Sequence, residues 1–121
     1  MGNFKSLRVW NEAMNLVEKI YTISKQQDFY PDDVLRRQIT KAAISIPSNI
    51  AEGDERGTNK ESIHFFNIAK GSTAEVITQV ILASRLGYID AATLVEVENL
   101  AEKIRAMLKN LIQARTKKIK I

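Results

Sequence analysis

Four stretches of the sequence repeat apolar residues at alternating spacings of three and four, which is the period of an amphipathic α-helix. No stretch shows the strict alternation that is typical of a β-strand. The four segments cover about residues 4–26, 32–55, 59–86 and 91–115, and residues 116–121 are expected to form a loose basic tail. Because the connections are short, neighbouring helices must run antiparallel. The pattern predicts an all-α chain that folds as one antiparallel up-down-up-down four-helix bundle.

Three of the segments carry one predicted core stripe each. The stripe of the first segment is Leu7, Trp10, Met14, Val17, Tyr21 and Ser24. The stripe of the second segment is Leu35, Ile39, Ala42, Ile46, Asn49 and Gly53. The stripe of the fourth segment is Leu94, Val97, Ala101, Ile104, Leu108 and Leu111.

The third segment is apolar on more than one face. One side carries Phe66, Ile77, Val80 and Ile81, and the other carries Phe65, Ile68, Val76 and Ala83. A helix in a monomeric bundle needs only one apolar stripe. The excess indicates burial against another subunit, although a central helix of the bundle has the same appearance.

Local signals fix several helix ends. Thr58 and Glu61 have the spacing of a capping box, Asp90 is placed to cap the fourth helix, and Gly87 is a natural stop for the third. Pro47 lies inside the second segment, where it lacks the backbone donor of an ordinary residue. It is expected to kink that helix or to strain its hydrogen bonding near Ala43.

Polar residues lie beside the apolar stripes of the second and third segments. If the two helices fold back about residues 56–57, Ala42 faces Gly71 and Ser72, so that the helices approach closely at Gly71. The same register places Lys41 or Gln38 opposite Glu75. The predicted buried polar network consists of Gln38, Lys41, Ser45, Asn49, Glu52, Arg56, Ser72 and Glu75.

This network has two interpretations. It can be an internal set of hydrogen bonds that fixes the register of two helices, or it can be a site for a ligand or a nucleic acid. The first interpretation is favoured, because buried polar groups need partners whatever the function of the protein.

The positive charge is concentrated at one end of the chain. Residues 1–102 contain 11 Lys and Arg against 14 Asp and Glu, whereas residues 103–121 contain 7 Lys and Arg and no acid. Such an end can attract polyanions. It can also serve as a set of cations that stabilises the C-terminus of the last helix, followed by a solubilising tail. Charge alone favours this second role.

Several classes of function are disfavoured by composition. The chain has no cysteine, which excludes disulfides and thiolate metal sites and favours a cytoplasmic protein. Its apolar runs are too short to span a membrane. Glu61 and His64 have the spacing of di-iron ligands, but the chain has no second histidine to complete such a site or a catalytic triad. We therefore expect no enzyme activity, no metal and no cofactor.

The central segments resemble a known family. The matching residues are SIPSNIAEG at 45–53, Arg56, Lys60-Glu61, Phe65-Phe66, Ala69-Lys70-Gly71-Ser72 and Glu75, together with Phe4-Lys5-x-Leu7-x-Val9-Trp10 and Arg85-Leu86-Gly87-Tyr88. They are similar to the 23S rRNA intervening-sequence proteins over roughly residues 4–112. The resemblance implies an antiparallel four-helix bundle that commonly assembles as a homopentamer. Founding members are encoded inside insertions in 23S rRNA genes, and a distantly similar group consists of nucleic-acid-binding accessory proteins of diversity-generating retroelements.

The chain departs from the family pattern at three places. Thr40-Lys41 stands where the family usually has two arginines, the segment between Pro31 and Leu35 looks about one turn short, and Ile77 replaces an acidic residue. The lost positive charge weakens any role of this face in nucleic-acid binding. More weight falls on Arg36, Arg37 and the basic end.

Two hypotheses for function follow. The first is an oligomeric accessory protein, a pentamer by resemblance, that binds RNA or DNA weakly through charge. Its expected contacts are Arg115, Lys117, Lys118 and Lys120, with Arg36 and Arg37 as secondary candidates. The second is an oligomer that binds or scaffolds another protein and has no role with nucleic acid. No membrane partner is expected in either case.

Overall fold

A computed structural model describes residues 2–119, and four helices account for most of them. A 3-10 turn, Phe4–Ser6, precedes helices α1 (Arg8–Ser24), α2 (Asp33–Asp54), α3 (Asn59–Arg85) and α4 (Ala91–Ile119). Helix α2 packs between α1 and α3, and α4 packs between α3 and α1, whereas the backbones of the diagonal pairs do not come close to each other within residues 2–119. This is the predicted all-α, up-down-up-down four-helix bundle.

The first helix is shorter than the sequence predicts. It begins at Arg8 because Leu7 has an extended backbone, with ψ 127°, between the 3-10 turn and α1. The side-chain amide of Asn11 donates hydrogen bonds to the carbonyl of Lys5 at 3.0 Å and to that of Leu7 at 2.9 Å. These bonds hold the 3-10 turn against the start of α1.

The last helix is longer than the sequence predicts. Residues 116–119, expected to be a loose tail, continue α4 to Ile119. The hydroxyl of Thr116 donates to the carbonyl of Ile112 at 2.8 Å, and neither Gly nor Pro interrupts the segment. Lys117 and Lys118 lie in the last turn, where cations interact favourably with the helix dipole. Lys120, the last of the predicted contacts, lies outside the described residues.

The predicted caps at Thr58 and Asp90 form, and Asp32 provides a further cap that was not predicted. Backbone amides donate to Asp32 at 3.0 Å, to the Thr58 hydroxyl at 3.2 Å and to Asp90 at 2.8 Å, at the starts of α2, α3 and α4 respectively. Gly87 ends α3 with φ +79°, a left-handed conformation that favours glycine. These local signals explain why the predicted starts of α2, α3 and α4 agree closely with the structure.

The two connections at one end of the bundle contact each other. The ring of Tyr88 lies 5.4 Å from the ring of Phe29, which is fully buried, and its hydroxyl donates to Asp32 at 2.8 Å. Hydrogen bonds from the backbone of Leu35 and then from Tyr88 lower the pKa of Asp32. The same bond from Tyr88 to the carboxylate raises the pKa of the Tyr88 phenol.

The core confirms the predicted stripes of α2 and α4 in most positions, but that of α1 only in part, since Ser24 is buried and Leu7, Trp10 and Val17 pack against the edge of the core. The residues of α1 that enter the core are Val9, Ala13, Leu16, Ile20 and Ile23. The predicted stripe lies on the adjacent side, where Met14 is 37% exposed and Tyr21 is 39% exposed. Both sides of α1 have helical spacing, and the aliphatic side, which has no polar atoms, is the one that is buried.

Helix α3 packs along α2 and α4, just as each of the other helices packs along two neighbours. Phe66, Val76 and Val80 are fully buried, and Ile77 packs against the core. On the other predicted face Ile68 is 40% exposed, so one chain covers the two apolar faces of α3 only in part, and burial against another subunit stays a prediction.

Candidate nucleic-acid interface

The basic end of the chain lies on the last half of α4. Of its cations in residues 103–119, some form ion pairs and others do not. Glu102 is the last acid of the sequence. After it, Lys109, Lys117 and Lys118 are exposed, and none forms an ion pair within residues 2–119. Because α4 is helical to Ile119, these three ammonium groups are carried by one rigid element.

Arg115 is not the free cation that the sequence predicts. Its guanidinium lies 3.2 Å from the carboxylate of Asp54 and 5.4 Å from the ring centre of Phe66. The Asp54 side chain is 6% exposed, and its second oxygen is buried without a hydrogen bond from the described residues. A buried carboxylate needs a counter-charge, so Arg115 has a structural role.

Two more cations of α4 have partners. Lys103 pairs with Glu12 of α1, and this bond lowers the pKa of the Glu12 carboxyl. Arg105 lies 3.0 Å from Glu102, one turn earlier on the same helix. The Lys103 pair ties α4 to α1, whereas the Arg105 pair is local and partly exposed.

The secondary candidates Arg36 and Arg37 share the carboxylate of Asp33. Arg36 also donates to the carbonyl of Tyr30 at 3.2 Å and stacks on the ring of Tyr30, with 4.5 Å to the ring centre. Its side chain is held at the start of α2. Arg37 is more accessible, since 74% of its side chain is exposed.

A groove between α3 and α4 brings together cations that are far apart in the sequence. It has a volume of about 440 Å³ and is lined by Lys70, Glu102, Arg105, Ala106 and Lys109. Lys70 forms no ion pair within residues 2–119 and is half-buried. Sequence reasoning missed Lys70, because a single lysine on α3 is not near the basic end until the helices pack.

The predicted polar network between α2 and α3 is smaller than expected. The hydroxyl of Ser72 donates to that of Ser45 at 2.8 Å, and the amide of Asn49 donates to Ser45 at its carbonyl (2.8 Å) and its hydroxyl (2.9 Å). About two turns after Ser72 on α3, the amide oxygen of Gln79 is buried without a hydrogen bond from the described residues. Three of the eight predicted residues therefore form a compact internal cluster.

The other five predicted network residues lie at the surface. Gln38, Lys41, Glu52, Arg56 and Glu75 are all exposed. Arg56 pairs with Glu52 at 2.9 Å along α2 and stacks on Phe65 of α3 at 4.5 Å. The ion pair expected between Lys41 and Glu75 is not formed.

Gly71 does not mediate close helix packing, contrary to the prediction. It is exposed, and a Cβ added to it would meet nothing within 4 Å. The close approach occurs at Gly53, where an added Cβ would lie 2.7 Å from Cε1 of Phe66 and 3.0 Å from the carbonyl oxygen of Ser62. Gly53 therefore allows the Phe66 ring to pack directly on the backbone of α2.

An apolar groove on the opposite side of the bundle runs between α1 and α2. It has a volume of about 360 Å³ and is lined by Trp10, Met14, Val17, Ile44, Pro47, Ser48 and Ala51. Helix α2 passes through Pro47 as one continuous helix, and the proline is buried against this groove. The predicted stripe of α1 thus forms a half-exposed wall of the groove.

The helices and motifs of this chain match those of a known family. The model of the 23S rRNA-intervening sequence protein family matches residues 5–110. The chain belongs to this family. The crystal structure of a protein of unknown function from the S23 ribosomal protein family of Bacteroides thetaiotaomicron has the same fold, with a TM-score of 0.80. Sequence identity is 22%, over 86% of this chain and 97% of the other. No curated protein matches the chain.

The 23S rRNA-intervening sequence family match confirms the resemblance and the bundle. Thr40 and Lys41 stand where the family usually has two arginines. The hydroxyl of Thr40 donates to the carbonyl of Arg36 at 2.8 Å, and Lys41 is exposed. On α2 and just after it, Arg36, Arg37 and Arg56 form ion pairs, so Lys41 is the exposed cation of this helix that forms none within residues 2–119.

Nothing in residues 2–119 brings together three or more His, Asp or Glu side chains that could hold a metal ion. His64 packs edge-on against Phe65, with ring centres 5.1 Å apart. No helix within the same range is long and apolar enough to cross a membrane.

Proposed function

We propose that this member of the 23S rRNA-intervening sequence family is a non-enzymatic, self-associating accessory protein that binds RNA or DNA weakly through charge in the cytoplasm. The observation that carries the proposal is the end of α4, where Lys109, Lys117 and Lys118 are exposed and unpaired among the described residues, after the last acid of the chain. Phosphate contacts of this kind give affinity without reading base sequence.

The charged face lacks the features of a base-specific site. Lys109, Lys117 and Lys118 have no aromatic side chain among them, so successive bases have no surface on which to stack. Binding is therefore expected to depend on ionic strength and to vary little between sequences of equal length.

Self-association would make weak contacts effective. If several copies present their α4 ends together, avidity can exceed a single affinity by a factor of about 10²–10⁴. The support for association is the half-exposed apolar wall of α1, where Met14 is 37% exposed beside the 42% exposed Ile44 of α2. The proposed stoichiometry of five comes from the family resemblance.

A titration tests nucleic-acid binding. Fluorescence anisotropy with structured RNA and with duplex DNA should show affinity for the native protein that falls steeply between about 50 and 200 mM salt. A variant with Lys117→Gln and Lys118→Gln should bind more weakly and show a shallower salt dependence. Salt-insensitive affinity, or no affinity, for the native protein would contradict the proposal.

The apolar groove of α1 and α2 favours a second candidate, an oligomer that scaffolds another protein. Light scattering at micromolar concentration tests both self-association and the number of subunits. A single species of 13.7 kDa would exclude self-association, and a dimer would exclude only the pentamer. A stable oligomer without salt-sensitive binding to nucleic acid would favour the scaffold.

A further inference from the structure

The groove between α3 and α4 brings cations from two helices of the described chain to a common space. Lys70 forms one wall, while Arg105 and Lys109 form the other. Ala106 lies between them with a small side chain, which leaves room for a ligand of the groove's volume, about 440 Å³.

The charge of this groove is positive even after its own acid is counted. Glu102 is the single acid in the lining, and it is already bound to Arg105 at 3.0 Å. Three cations against one carboxylate leave a net charge of +2, with Lys70 and Lys109 making no ion pair within residues 2–119. Cations brought together without matching acids raise the local potential and attract anions.

The arrangement of the cations suits an extended polyanion. Arg105 and Lys109 are one turn apart, about 6 Å along the axis of α4, and Lys70 lies on the opposite wall of the groove. Since successive phosphates of one strand lie about 3.4 Å apart along a duplex axis, the two cations of α4 match phosphates about two positions apart. More than one phosphate is therefore needed to engage the whole set.

We propose that the groove between α3 and α4 binds the sugar–phosphate backbone of a nucleic acid, with Lys70 and Lys109 contacting phosphates from opposite walls. The proposal rests on the function proposed above, but it places the principal contact in the groove rather than at the end of α4. Glu102 orients Arg105 and at the same time limits the affinity of the groove for phosphate.

Matched variants test the site. The groove variant carries Lys70→Gln, Arg105→Gln and Lys109→Gln. The control carries Lys5→Gln, Lys25→Gln and Lys41→Gln, three exposed lysines with no ion pair in the described chain. Both lose the same charge. Anisotropy should show affinity for duplex DNA reduced at least tenfold by the groove variant, with a salt slope smaller by about 2–3, since each lost phosphate contact removes about 0.9.

The outcomes separate the two proposals. If the native protein binds with salt sensitivity and both variants lose affinity equally, the groove is not the site, although the proposed function stands. If the native protein does not bind, both proposals fail. Parallel titrations with duplex RNA and single-stranded RNA establish which backbone the groove prefers.

Two further measurements remain informative if the groove variant does not fold. Glu102→Gln should raise affinity severalfold, because it removes the only acid of the lining; unchanged or weaker binding would overturn the proposal. In the native protein, bound nucleic acid should protect Lys70 and Lys109 from acetylation while Lys5 and Lys25 stay reactive. Equal labelling with and without nucleic acid would also overturn it.

Discussion

Arg115, near the end of α4, lies 3.2 Å from Asp54, the last residue of α2, and covers the ring of Phe66. The pair joins two helix ends that are not neighbours around the bundle. One of the seven cations at the basic end therefore stabilises the fold, while its neighbours Lys117 and Lys118 stay exposed. Substitutions in this short segment should separate stability from binding.

We expect Arg115→Gln to reduce the free energy of unfolding by about 2–4 kcal/mol, because removing one partner of a buried ion pair costs about 3–5 kcal/mol and Arg115 is partly exposed. Lys117→Gln should change it by less than about 0.5 kcal/mol, as surface substitutions usually do. Urea unfolding of the two variants measures both values. Equal effects would mean that the Asp54 pair contributes nothing to stability.

Gly53 and Gly71 should respond in opposite directions to alanine. Gly53→Ala forces a methyl group against Phe66 and should cost about 1–3 kcal/mol, whereas exposed, helical Gly71→Ala should stabilise by up to about 1 kcal/mol through helix propensity. Thermal unfolding followed by circular dichroism gives both signs. A loss of stability for Gly71→Ala would instead indicate that α2 and α3 pack closely at Gly71, as the sequence predicted.

The hydroxyl pair between α2 and α3 should show coupling. Ser72→Ala is expected to cost about 0.5–1.5 kcal/mol, because Ser72 is 5% exposed and its 2.8 Å bond to Ser45 is lost. A double-mutant cycle with Ser45→Ala isolates the interaction. Additive effects of the two substitutions would show that the hydroxyls do not act as a pair.

Stability should fall at both ends of the pH scale. Hydrogen bonds lower the pKa values of Asp32 and Asp90, first from Leu35 and from Thr93 respectively, so the stability they contribute is present above about pH 4, the unfolded value, and is lost as the pH falls further. Asp32 raises the pKa of Tyr88, so that contribution is present below about pH 10 and is lost as the pH rises.

Melting temperatures across this range test the assignment. Tyr88→Phe should melt lower at neutral pH and lose less of its stability between about pH 10 and 11 than the native protein does. Tyr30→Phe, with an exposed tyrosine that makes no such bond, is the control. If Tyr88→Phe loses as much stability at alkaline pH as the native protein does, that loss comes from other groups.

The helices could be predicted from the sequence because their signals are local. The predicted caps at Thr58 and Asp90 and the stop at Gly87 are each fixed by residues within one turn. The end of α4 was missed because a run of cations was interpreted as a tail, whereas the helix dipole favours cations there.

The register between α2 and α3 was predicted about one turn away from the structure. Folding back about the turn placed Ala42 opposite Ser72, but Ser45 is the partner. Helical side chains lean towards the N-terminus, so at a given height each helix presents a residue later in the sequence than the backbone midpoint suggests. Gly53, which was in the predicted stripe of α2, packs against Phe66, whereas Gly71 lies on a face of α3 that points away from α2.

The candidate site depended on tertiary structure that sequence patterns do not contain. Lys70 lies beside Arg105 and Lys109 only because α3 packs on α4. Arg115 is unavailable for binding only because it forms an ion pair with Asp54 of α2. The charge excess of the basic end was evident in the sequence. The sequence did not show which of these cations are free to bind a partner.

The contacts of Asp54 also show that the two ends of the described chain lie close together. The backbone of Gly2 lies against Asp54, as does Arg115, so the first described residues and the end of α4 meet at the same end of the bundle. The exposed connection at Gln27 and Asp28 lies at the other end. A circular permutant that joins residue 119 to residue 2 by a short flexible link and opens at Gln27 should therefore keep all four helices and their packing.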